Sequence, residues 1–103
     1  MPLELRPNCE MCDCDLPPDS EVARICSYEC TFCAKCVETE LQNVCPNCGG
    51  GFVHRPIRPR TAWRPGVSGE HQKPSAERRQ LKYDRKNIAE HVSRIRDIDP
   101  AER

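Results

Sequence analysis

The sequence predicts a small, metal-stapled α+β module followed by a linker and a C-terminal helix. Three observations predict it. All nine cysteines fall within the first 48 of 103 residues, and eight of them form four close pairs. Core material is scarce: two Phe, two Tyr and one Trp stand against ten Pro and 31% charged residues. A domain this small buries too little apolar surface to hold without staples. The charge is also divided. Residues 1–57 carry nine acids and four bases, a net −5, and residues 58–103 carry the balancing +5.

The elements follow in order. Pro2 and Pro7 keep the lead-in extended. Cys9 and Cys12 bracket a short ligand loop, and a turn-rich connection follows, with Leu16 as its apolar anchor. Val22, Ala23 and Ile25 suggest a short strand into Cys26. A helix is predicted from Ala34 to Gln42, because Val37 and Leu41 share a face, and Asn43 stops it. Glycines after Cys48 permit left-handed backbone and let amides approach the sulfurs. The module is expected over residues 3–57. A Pro/Arg-rich, polyproline-like linker is expected over 58–75. A helix capped by Ser75 is expected within 76–98, with Leu81, Ile88, Val92 and Ile95 as a narrow apolar stripe. An isolated helix of that length is marginal in water, so it needs a partner surface or stays partly disordered. The charge division favours docking on an acidic surface, the module itself or an external protein.

The cysteines are spaced C-x2-C-x13-C-x3-C-x2-C-x2-C-x8-C-x2-C. No apolar leader opens the chain and no stretch reaches membrane-spanning length, so a reducing cytoplasm is the expected setting. There, such pairs read as metal sites rather than disulfides. Eight thiolates make two closed tetrahedral sites, the environment of structural Zn²⁺, and two Zn²⁺ per chain are expected. Two groupings satisfy the spacing. One puts Cys9, Cys12, Cys26 and Cys30 on one ion and Cys33, Cys36, Cys45 and Cys48 on the other. The second joins Cys9 and Cys12 to Cys33 and Cys36, and Cys26 and Cys30 to Cys45 and Cys48. Cys14 is left over and reads as a residue beside the ligand loop. His54, His71 and His91 lie outside the array and are not needed as ligands.

The run from Cys30-Thr-Phe32-Cys33 to Cys36-Val37 and Leu41, followed by Cys45-Pro46-x-Cys48, resembles the heart of a RING finger. Cys30 stands where RING fingers commonly carry His. The resemblance implies a cross-brace, with the second grouping of ligands. From Leu3 to Arg60 the chain is similar to a bacterial family, domain of unknown function 1272. The likeness runs through Leu5–Glu10, Asp15–Ser20, Ala23–Cys33 and Arg55–Pro59, well beyond the cysteines. It implies a small bacterial zinc-binding protein and supplies no activity.

The function expected is therefore zinc binding with an adaptor role toward another protein. Nucleic-acid binding through the basic tail is the alternative, with Trp63 among Arg58, Arg60 and Arg64, although a solvated linker explains that segment too. An iron–sulfur electron carrier is the third reading, because Cys30, Cys33 and Cys36 reproduce a C-x2-C-x2-C core. No enzyme and no catalytic residue are expected. Closed thiolate sites leave no open position for substrate, and no nucleophile–base pair or phosphate loop is visible. Ubiquitin-ligase chemistry is not expected either. Met11 suits the apolar contact of RING ligases, but Glu40 and Gly49 stand where they commonly carry an apolar and a basic residue.

Overall fold

The computed structural model describes residues 2–103. A three-stranded antiparallel sheet forms the centre, with strand β1 (Ala23–Ile25) between β2 (Thr31–Cys33) and β3 (Val53–His54). Ala23 pairs with Cys33, Arg24 with Phe32 and His54, and Ile25 with Thr31 and Val53. Helix α1 (Ala34–Cys36) leaves β2 directly and continues as a wider π-type turn, Val37–Leu41. Gln42 and Asn43 then adopt φ of 48° and 62°, and Asn43 NH closes back on the Val37 carbonyl at 3.1 Å. The expected helix and its stop at Asn43 are thus present. The widened last turn places Val37 and Leu41 inward, both buried. Helix α2 (Arg85–Ile95) closes the chain, followed by a 3-10 turn at Pro100–Glu102.

The core forms where these pieces meet. Phe32, Leu16, Leu41 and Val44 are fully enclosed, and Phe32 meets Phe52 edge to face at 5.4 Å. Ile88 and Val92 of α2 belong to the same cluster. Arg55 is also enclosed. Its guanidinium donates to the carbonyls of Arg6 (2.8 Å), Leu16 (3.1 Å) and Pro17 (2.8 Å), tying the strand that follows the ligand loops to the lead-in.

The tail departs from its expected form. The helix begins at Arg85 rather than at Ala76, and its cap is Asp84, which accepts from Asn87 NH at 2.8 Å, not Ser75. The preceding segment is extended because its backbone pairs with the module. Ser75 NH donates to Leu5 and Leu81 NH to Glu10, each at 3.0 Å. Buried Asn8 holds Arg79 from both sides, donating to its carbonyl at 2.8 Å and accepting its NH at 3.1 Å. Those bonds compete with a helix over the same residues. The 58–75 segment also folds back on itself: Gly69 NH reaches the Pro59 carbonyl at 2.8 Å, and Arg58 bonds the carbonyls of Leu3 and Gln72. Among the described residues, no helix is long and apolar enough to cross a membrane.

Candidate metal centres

The first centre draws on two distant segments. Asn8 and Asp15 bridge across a tight loop, where Cys9 NH bonds the Cys14 carbonyl and Asp13 NH the Cys9 carbonyl, each at 2.9 Å. That loop presents Cys9 and Cys12. Cys33 ends β2 and caps α1, which carries Cys36. Buried Glu10 joins the segments: its carboxylate accepts Thr31 NH at 2.6 Å and pairs with Arg6 at 2.9 Å. The four sulfurs lie within 4.8 Å of one another. Each C-x-x-C pair is wound the same way, with Cys12 NH donating to Cys9 Sγ and Cys36 NH to Cys33 Sγ, both at 3.5 Å. Backbone donors aimed at sulfur favour thiolates and fix their direction.

The second centre lies under the other end of the sheet. Cys26, Cys45 and Cys48 share the same mutual distance. Tyr28 NH donates to Cys26 Sγ at 3.3 Å, and Gly50 NH to Cys48 Sγ at 3.4 Å. The turn carrying Cys45 and Cys48 is closed by Gly49 NH on the Cys45 carbonyl at 2.8 Å, with Gly49 at φ 80°. A side chain there would be strained. Cys30 stands outside that mutual distance. Its sulfur accepts the Asn47 amide at 3.4 Å. That bond ties Cys30, just before β2, to the loop that carries Cys45 and Cys48.

Of the two groupings open from spacing, the structure brings together Cys9, Cys12, Cys33 and Cys36, and separately Cys26 with Cys45 and Cys48. The alternative union of Cys9 and Cys12 with Cys26 and Cys30 does not occur. His54 lies on β3 opposite Arg24. His91, on α2, bonds the Cys45 carbonyl at 3.0 Å rather than a sulfur. Sequence reasoning missed Asn8, Glu10, Asn47 and His91 as supports, because only the folded chain brings them to the ligand loops. Cys14 is exposed and stands outside both sulfur clusters.

The electrostatics are those of crowded thiols sharing too few protons. At the second centre, hydrogen bonds from Cys30 and then Cys45 hold Cys26 down to about 3. Cys45 is pushed up, by Cys26 first, then Cys30, then burial. At the first, burial works against Cys12, but hydrogen bonds from Cys14, Cys9 and Cys33 bring it down to about 7. Burial, and then neighbouring thiols, raise Cys36; burial raises Cys9 and lifts Cys14 to about 12. Like charges this close cannot all ionise alone. A divalent cation removes that conflict by deprotonating its thiol ligands outright. The donor set therefore fits a thiophilic metal such as Zn²⁺ at the first centre, and the second offers three close thiols that could hold one.

The profile of a family described as Protein of unknown function (DUF1272) matches residues 2–58. An uncharacterised protein of Rhizobium meliloti (strain 1021) is 68% identical over 57 residues, which is 55% of this chain and 68% of that protein. No solved structure matches. The family match takes in both cysteine clusters and stops before the docked tail.

Proposed function

This chain belongs to the DUF1272 family, and on that premise we propose that it is a structural zinc protein. It is a two-zinc, RING-like cross-brace that acts as an adaptor for another protein and not as an enzyme. The observation that carries the reading is the first centre: four sulfurs within 4.8 Å, from segments 21 residues apart in sequence, each pair with its own NH···S bond. Cys30 completes the second centre beside Cys26, Cys45 and Cys48, giving the crossed ligand order of a RING finger. Zn²⁺ closed by four thiolates has no position for substrate, so its role is to hold the fold. Nine free thiols suit the reducing cytoplasm.

The surface that RING ligases use is modified here. Met11 packs against the core with Leu81 beside it, Glu40 pairs with Arg85 at 3.5 Å, and Ile95 faces Gly49. The tail occupies the neighbourhood of all three positions, which supports an adaptor without ligase chemistry. Metal analysis and native mass spectrometry test the reading. Two zinc per chain, a colourless protein and loss of native circular dichroism on chelation are expected. One metal per chain, a brown iron–sulfur spectrum, or a chelated protein that keeps its fold overturns it.

A further inference from the structure

We propose that the loop over residues 60–67 is a contact site for single-stranded nucleic acid, with Trp63 as the base-stacking platform and Arg60 and Arg64 as the phosphate contacts. This goes beyond the metal reading and does not depend on which metal is bound.

Trp63 is 80% exposed, the most exposed large apolar side chain among the described residues. Exposed tryptophan is costly to leave in water and is concentrated at interfaces. The loop that carries it is built rather than slack. Gly69 NH closes its base on the Pro59 carbonyl at 2.8 Å. Just beyond the tip, buried Ser68 bonds His71 Nδ1 at 2.8 Å and receives Gln72 NH at 2.9 Å. Arg64 and Val67 bridge across a turn in which Gly66 takes φ 78°. Ordering this segment costs conformational entropy, yet Trp63 and Val67 stay 80% and 57% exposed.

The arginines divide by role. Arg58, at the base, is turned onto the Leu3 and Gln72 carbonyls. Among the described residues, Arg60 and Arg64 have no side-chain hydrogen bond or ion pair. By contrast, Arg6, Arg78, Arg79 and Arg85 all face acids. Trp63 also lacks an aromatic or cation–π partner there. Two guanidinium groups on the same loop as an open indole, before and after it in sequence, can neutralise phosphates while a base stacks on the ring. A paired duplex keeps its bases stacked on one another, so the site selects single strands. An acidic peptide satisfies the arginines but gives the indole no flat partner, and nucleic acid is the better fit.

Trp63 is the chain's sole tryptophan, so its fluorescence reports the site directly. The full zinc-loaded chain is titrated with an oligothymidylate of about ten nucleotides at low salt. Saturable quenching is expected, with log K falling against log salt at a slope of about −1.4 for two phosphates. By anisotropy of a labelled strand, Trp63→Ala weakens binding about tenfold. The double variant Arg60→Gln/Arg64→Gln flattens the salt slope. These side chains are exposed, and circular dichroism with zinc content checks that the variants remain folded. The proposal is overturned by absence of quenching, by equal quenching with a polyglutamate peptide or with duplex DNA, or by a Trp63→Ala variant that binds as tightly as the parent.

Discussion

Removing the two buried side chains of α2 should detach that helix and leave the metal module intact. Ile88 and Val92 are 5% and 2% exposed, and they sit in the cluster with Val37, Leu41 and Cys45. Ile88→Ala with Val92→Ala removes about five buried carbons, about 4 kcal/mol at roughly 0.8 kcal/mol each before any cavity term. That shifts the docking equilibrium by about a thousandfold. What remains on the helix and the turn after it is the partly buried Ile95 and polar contacts: His91 on the Cys45 carbonyl at 3.0 Å and Arg103 on the carbonyls of Asn43 (2.7 Å) and Gly49 (3.2 Å). An eleven-residue helix has little stability alone, so once undocked it should melt. Amide hydrogen exchange is the assay. Residues 85–95 should lose protection, residues 23–41 should keep theirs, and the zinc count should not change. Protection of α2 at parental levels in the double variant would refute the reasoning. So would loss of zinc together with the helix.

Two further outcomes follow from other parts of the structure. Arg55→Ala should cost about 3 kcal/mol in chemical denaturation, because it leaves the buried carbonyl of Leu16 and the part-buried carbonyls of Arg6 and Pro17 without their charged donor; a loss under about 1 kcal/mol would show that water replaces it readily. Cys14→Ser should leave zinc unchanged, whereas Cys30→Ser should weaken or empty the second centre alone, a contrast read by competitive zinc titration with a chromogenic chelator.

The ligand loops were legible because chelation is a local matter of spacing: Cys9 with Cys12, Cys33 with Cys36, and Cys45 with Cys48 each sit together as the C-x-x-C unit implies. The strand at Ala23–Ile25 and the helix from Ala34 followed from short-range pattern in the same way. The choice between groupings was not legible from spacing, since it depends on β2 carrying Cys33 back beside the first loop. The tail shows the other limit. Its apolar stripe identified Ile88 and Val92, but the stripe also contained Leu81, which lies in the extended segment and reaches the module by a different route. Helical periodicity cannot separate those cases when Asn8, 71 residues upstream of Arg79, supplies the competing hydrogen bonds.

The division of charge explains attraction between tail and module but not the register of their docking. Ion pairs do cross the divide: Arg78 meets Asp13 and Asp15, Arg79 meets Glu4, and Arg85 meets Glu40. All of them are substantially exposed, so each is weak and screened by salt. Register comes from contacts that tolerate no slip. Asn8 is fully buried and reads both backbone groups of Arg79, while Ile88 and Val92 fill fixed places in the core. A shifted tail would strand the Asn8 side-chain oxygen, since the amide nitrogen alone keeps partners in Cys9 and Asp13, a penalty of about 1–3 kcal/mol that surface charge does not offset. A divalent ion held by the four thiolates of the first centre would leave it at −2 and add to the acidic side of the divide, while the buried contacts decide where the tail rests.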